Sequence, residues 1–249
     1  MTNVPTMGVE EEFFLVDSRG KLVPRAPEAL QDTDDTDADL KPELLRYQVE
    51  SATKVCKTGH ELQEELTGLR DRLANGAAQH NALLAASGTV VHAQPGDSLI
   101  GPGTRYQRIA EQFGQLVVGG LVCGCHVHIG VPDNWVALQV SNHLRPWLPL
   151  LLAVSANSPY VDGKDTGYAS SRHLLYARWP SGGPPPYLES LEQYESLVAS
   201  FLDVGAALDR KMVYWDIRPS EHQPTVEVRV HDVLGTAQEA TFVAILVRL

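Results

Sequence analysis

Cysteine is scarce in this chain of 249 residues: Cys56, Cys123 and Cys125 are all it has. So odd and sparse a set speaks against a disulfide framework and makes a reducing cytoplasm the expected compartment. Basic residues are also short, with 20 Lys and Arg against 31 Asp and Glu and a formal net charge of −11. A surface that acidic argues against a nucleic acid or an anionic membrane as partner. It leaves a small anionic substrate open, because a bound cation inverts local charge. Long apolar runs are missing, and none approaches the ~20 residues of a membrane span. The opening Met-Thr-Asn-Val-Pro-Thr has neither a basic nor an apolar region, so no secretory signal is expected. Internal repeats and long low-complexity tracts are absent as well. What is there, 43% hydrophobic and 20% charged, suits a globular chain long enough for a sizeable core.

Two stretches stand out by composition. Asp32 to Asp39 holds five Asp in eight residues and reads as a solvated loop. Pro180 to Pro186, with Gly182 and Gly183 inside it, reads as a loop between elements. Strand-like segments are expected at Gly8 to Asp17, with a hairpin partner at Lys21 to Val23, and at Arg46 to Thr53, Thr89 to Ala93, Leu121 to Val131, Val213 to Arg218 and Thr225 to Val233. Thr58 and Glu61 form a capping-box pattern, followed by Leu62, Leu66, Leu69, Leu73 and Ala77 at helical spacing. That predicts one long amphipathic helix, with Gly88 as its stop; the pattern runs through the Asn75-Gly76 pair and overrides its hairpin signal. Further helices are expected from Asp133 to about Ser155, broken near Pro146 and Pro149, from Leu188 to Leu208, and from Gly235 to Leu249. The expected class is α+β, an antiparallel or mixed sheet with helices packed on one face.

The informative feature is what the strands put on their two faces, since side chains alternate along a strand. In Thr225 to Asp232, Val226, Val228 and Val230 share one face, with Glu227, Arg229 and His231 on the other. Glu10 and Glu12 lie together, with Val9, Glu11, Phe13 and Leu15 opposite. Gln48 and Glu50 lie together, as do His126 and His128, with Cys125, Val127 and Ile129 facing away. Any one such strand fits a sheet with a wet face. Four together, with no Lys among the polar sites, fit that reading less well. Carboxylates gathered on one surface repel by roughly 3 kcal/mol per pair at ~5 Å and an effective dielectric near ~20. Such a set persists when a divalent cation screens it, and oxygen ligands with one or two imidazoles suit Mg²⁺ or Mn²⁺.

Smaller motifs have competing readings. Cys123-Gly-Cys125-His126-Val-His128 resembles a zinc site, but alternation puts the cysteines opposite the histidines. A His-x-His strand also occurs in metal-dependent hydrolases. Three successive Glu, at positions 10 to 12, run straight into Phe13-Phe14-Leu15-Val16, which is costly unless the acids are paired. The polar run Asn157 to Arg172 is a long loop of the kind that often carries function. Arg172, Arg178 and Arg218 are candidate clamps for carboxylate or phosphate, each weighed against an ordinary surface salt bridge.

Gly8-Val-Glu-Glu-Glu-Phe13, Cys125-His-Val-His-Ile-Gly130, Asn157-Ser-Pro-Tyr160, Asp165-Thr-Gly-Tyr-Ala-Ser170 and Thr225-Val-Glu-Val-Arg229, in this order, resemble the carboxylate–amine ligase family, also described as glutamate–cysteine ligase type 2 or YbdK-like. The resemblance runs from about residue 6 to the C-terminus. It implies a curved antiparallel sheet around an ATP and metal site, glutamine synthetase-like in its distant relations. It implies phosphorylation of a substrate carboxylate by ATP and attack of an amine on the acyl phosphate, with weak glutamate–cysteine ligase activity as one form. Glu10, Glu12, Glu50, His126 and Glu227 then correspond to ligands of Mg²⁺ or Mn²⁺, and Arg229 to the residue touching the transferred phosphoryl. Glu43, His128, Arg172 and Arg218 are candidates for substrate or nucleotide contacts. Members are usually longer, so the resemblance implies a single catalytic domain whose C-terminal part is lacking here. The acid, the amine and the oligomeric state stay open, although members often form homo-oligomers. The alternatives are a metal-dependent hydrolase built on His126 and His128, and an inactive nucleotide-binding homologue.

Overall fold

The computed structural model describes residues 4–31, 33, 39–92, 100–118 and 121–249. Most of the Asp-rich run and Ala93 lie outside the described residues. In chain order the elements are β1 (Met7–Val16), α1 (Ala26–Gln31), β2 (Leu40–Pro42), β3 (Gln48–Ala52), α2 (Gly59–Gln79), β4 (Leu83–Ala85), α3 (Thr104–Phe113), α4 (Gln115–Val118) and β5 (Gly124–Gly130). There follow α5 (Asn134–Leu144), α6 (Leu148–Ser155), β6 (Tyr160–Val161), β7 (Lys164–Asp165), α7 (Ser171–Tyr176), α8 (Leu191–Asp203), β8 (Ile217–Pro219), β9 (Thr225–Asp232) and α9 (Ala237–Arg248).

The main sheet has the order β2-β3-β1-β5-β9-β8, with β4 added along the far end of β1. Its strand pairings are all antiparallel among the described residues. The α+β expectation therefore holds, in its antiparallel form. Register places Glu10 opposite His126, Glu12 opposite Glu50 and His128 opposite Glu227. Directly opposed residues share a face, so pairing alone gathers these acids and imidazoles onto one surface.

The other surface is the dry one. Met7, Val9, Cys125, Val127, Ile129, Val226, Val228 and Val230 bury against Leu62 and Leu66 of α2, Leu148 and Leu151 of α6, and Ala240, Val243, Ala244 and Val247 of α9. Each buried valine or larger side chain contributes roughly 1.5–3 kcal/mol, which fixes the register: a one-residue slip would put carboxylates in this layer. Glu11 is the exception, fully buried on that side. Arg70 of α2 meets it with two hydrogen bonds, Nε to Oε2 at 2.9 Å and Nη2 to Oε1 at 2.6 Å. The triple Glu is thus tolerated because its middle member is paired and its outer members face the other way.

The α2 capping box is present, with both reciprocal bonds between Thr58 and Glu61. The helix ends at Gln79, well before Gly88, because Asn81 turns the chain through a left-handed φ of 56° into β4. Thr89 makes only an isolated bridge to Val122, so no strand forms there. The hairpin after β1 shrinks to a bridge between Val16 and Leu22. The later helix is shorter than Leu188 to Leu208, and β8 begins only at Ile217. Leu188 and Val213, the expected starts of these two elements, lie instead in loops that pack with Trp215.

Candidate active site

On the polar side of the sheet lies a cavity of about 400 Å³. Nine of the ten site candidates line it: Glu10, Glu12, Glu43, Glu50, His126, His128, Arg218, Glu227 and Arg229. The tenth, Arg172, does not. It is 1% exposed, and its guanidinium hydrogen-bonds the carbonyls of Arg229 and Val230 at 3.3–3.4 Å and lies 5.2 Å from the Tyr176 ring centroid. A clamp for substrate must be reachable, so that expectation is corrected. Arg172 acts on backbone instead. Gly124 permits this, because a Cβ there would collide with the Arg172 guanidinium.

The carbonyls that Arg172 holds belong to a β-bulge. Val127 pairs with Val228, but Cys125 pairs with His231, so β9 uses one residue more than β5 across this stretch. Strict alternation therefore fails beyond Arg229. His231 lies opposite Cys125 instead of in the cavity, and burial pushes its imidazole down to about 3. The loop from Asn157 to Ser170 serves the same corner. Asp232 accepts from the Asn157 backbone N–H, the Ser158 hydroxyl and the Ser170 hydroxyl at 2.6–2.8 Å. The Asn-Ser-Pro-Tyr and Ala-Ser-Ser segments thus brace the end of β9.

Within the cavity the ligand-type atoms fall into two groups. Glu10, His128 and Glu227 form one and Glu12, Glu43 and Glu50 the other, each with one ligand atom per residue inside 4.8 Å. His126 sits between them, its Nδ1 3.5 Å from Glu10 Oε2 and its Nε2 3.9 Å from Glu12 Oε1. Neither group contains a cysteine. Cys123 and Cys125 are fully buried, so the zinc reading of the Cys-His run finds no support in the geometry.

The first group is compensated. Glu227 is gripped by Arg218, Nε to Oε2 at 2.8 Å, and by Arg229 Nη1. Burial works to raise its pKa, but these two guanidiniums hold its carboxyl far below the usual range. Burial likewise works to raise Glu10, and the imidazoles of His126 and His128 beside it carry its carboxyl lower. The second group is not compensated. Burial, then the charge of Glu12, pushes Glu43 up to about 7. Burial, then Glu10, Glu43 and Glu12, raises Glu50 well above the carboxylate range, with Lys41 Nζ 3.8 Å away as partial relief.

Sequence reasoning misses Tyr176, whose hydroxyl accepts from Arg229 Nη2 at 2.8 Å. The spacing of Arg172 and Tyr176, one helical turn apart, is its only signal. It also misses Lys41, Tyr106 and Tyr214, which line the cavity, and Arg105, which Asp209 fixes in a two-bond fork at 2.7 and 3.0 Å. Their segments carry no alternation that would announce them.

Such a site, basic at its Arg229 end and acidic across the sheet, has the donors to hold divalent cations with a polyanionic substrate. Residues 6–249 match the glutamate–cysteine ligase family 2, and the chain belongs to that family. A Rhodococcus jostii protein named "Putative glutamate--cysteine ligase 2-1" is 47% identical over 98% of this chain and 66% of its own length. A Mycolicibacterium smegmatis protein named "Putative glutamate--cysteine ligase 2-3" is 49% identical over 100% of this chain and 68% of its own length. The chain thus spans about two thirds of these curated relatives. Among solved structures, a bifunctional glutathione synthetase from Pasteurella multocida superposes with a TM-score of 0.67 at 14% identity, over 98% of this chain and 38% of that one. A Francisella tularensis glutamate–cysteine ligase in complex with AMP gives 0.64 at 13%, over 93% and 62%. These two share the fold. Among the described residues no helix is long and apolar enough to cross a membrane.

Proposed function

We propose that this chain carries the catalytic site of an ATP-dependent carboxylate–amine ligase, acting on amino-acid substrates. The observation that carries the reading is the meeting of two acidic ligand groups and Arg229 in one cavity, in a chain of the glutamate–cysteine ligase family. The Francisella ligase, solved in complex with AMP, supports nucleotide use. Glu10, His128 and Glu227 would hold one divalent cation, Mg²⁺ or Mn²⁺, and Glu12, Glu43 and Glu50 a second. Bound there, such ions would neutralise the charge that develops on the phosphates. Arg229, buried and locked by Glu227 and Tyr176, presents a fixed guanidinium to the phosphoryl group in transfer. Arg218 orients Glu227, and Arg172 holds the backbone that carries Arg229.

The reaction balances in two steps. A substrate carboxylate oxygen attacks the γ-phosphorus of ATP, forming the acyl phosphate and releasing ADP. An amine then attacks the acyl carbon, expelling inorganic phosphate and leaving the amide. The test is ADP release with Mg²⁺ over a panel of amino acids. Release that needs both a carboxylate and an amine supports the reading. Turnover of other substrates without nucleotide, or no release across the panel, overturns it.

A further inference from the structure

The ring of His128, in the cavity, is held by a neutral group. Its Nδ1 lies 3.0 Å from the hydroxyl of Thr225. Its other nitrogen, Nε2, is buried without a hydrogen-bond partner among the described residues and lies 3.7 Å from Glu10 Oε2, within the group completed by Glu227. His126 is held differently. Its Nδ1 faces the Arg229 guanidinium at 3.3 Å and Glu10, and it belongs to neither ligand group. The same strand pattern offers both histidines as ligands; their neighbours separate them.

We propose that Thr225 is the positioning residue that selects His128 as the cation ligand, by accepting the Nδ1 proton and so leaving the Nε2 lone pair facing Glu10 and Glu227. The inference rests on the cation reading above and adds a residue to it. An imidazole ligates through the nitrogen that carries no proton, and the hydrogen bond of the other nitrogen decides which one that is. Thr225 is built for the task. Its register partner on β5 is Gly130, which has no side chain to obstruct it, and His128 opposes Glu227, two residues further along β9. Thr225 thus leans across the diagonal of the ladder onto His128. Its backbone is pinned at the mouth of β9, its N–H donating to the Gln223 carbonyl at 2.7 Å and its carbonyl accepting from Ser220 N–H at 2.9 Å. A β-branched side chain on a pinned backbone holds few rotamers, so the hydroxyl stays where the ring needs it.

The experiment is Mn²⁺ binding to the metal-free chain without nucleotide, followed by electron paramagnetic resonance, for wild type, Thr225→Val, Thr225→Ser and Glu10→Gln. The expected result is an Mn²⁺ site lost in Glu10→Gln, weakened about 10–100-fold in Thr225→Val and largely restored in Thr225→Ser. Because valine matches threonine in shape, the melting temperature of Thr225→Val without metal should stay near that of wild type. An Mn²⁺ site that Glu10→Gln removes but Thr225→Val leaves unchanged overturns the role of Thr225 and spares the cation reading. A wild type that binds no Mn²⁺ overturns both. Should Thr225→Val fail to fold, nitrogen-15 shifts of His128 in the Mg²⁺-loaded wild type decide. A proton on Nδ1 supports the proposal, and a proton on Nε2 overturns it.

Discussion

The two acidic groups of the cavity are made of the same kind of residue and sit in opposite electrostatic states. Around Glu10 and Glu227 the protein supplies its own compensation, the guanidiniums of Arg218 and Arg229 together with the imidazoles of His126 and His128, and both carboxyls are held below their usual range. Around Glu12, Glu43 and Glu50 it supplies little beyond Lys41, and Glu43 and Glu50 are pushed up. Glu43 and Glu50, with so little compensation, favour the protonated form over an unpaired charge. The first group is preorganised, and under the cation reading proposed above the second is the one that a bound ion would complete. The difference teaches where the chain has left work for a ligand.

The largest expected effect comes from removing the shared cationic element. Arg229→Ala should lower the rate of ADP release by roughly 10³-fold or more, the scale on which charge-stabilising groups at a transferring phosphoryl act. Loss within tenfold would remove Arg229 from the chemistry. Next, Glu50→Gln should weaken divalent-cation binding at the second group by about 10–100-fold and leave the Glu10-dependent site in place, read by Mn²⁺ titration. Equal loss at both would mean that the groups are one site.

The third prediction concerns pH. In the folded state Glu43 keeps its proton up to about 7, whereas in the unfolded chain it is released near 4.5. Between these values the folded form binds more protons, so this group's contribution to stability is full below about 4.5 and is lost as pH rises through about 7. The melting temperature of the metal-free chain should carry that downward slope. The rise caused by Mg²⁺ should be larger at about pH 8 than at about pH 5.5, because a cation competes with the proton. A Mg²⁺ effect that shrinks with rising pH would contradict it. The smallest effect is Glu43→Gln, which should raise the melting temperature of the metal-free chain at about pH 8 by a few degrees and flatten the slope.

Much of this site is legible in the sequence because β-strand alternation is a rigid rule. Glu10, Glu12, Glu50, His126, His128, Glu227 and Arg229 are picked out by parity alone, and antiparallel pairing brings them together. Parity fails where the backbone leaves it, at the bulge that turns His231 away. It cannot see Arg70 pairing Glu11 across 59 residues, nor tell which histidine has Thr225 behind it. Arg172 escapes it because a lone arginine in a polar loop says nothing about whether its guanidinium meets solvent or carbonyls. The end of α2 is displaced from Gly88 because Asn81 takes a left-handed φ that residue spacing does not announce.

Equilibrium binding of a non-hydrolysable ATP analogue, with and without Mg²⁺, tests the central claim most directly. The account predicts binding that requires the cation and disappears when Glu12 and Glu50 are both changed to Gln. Binding of equal strength without any divalent cation, or none in its presence, would contradict it.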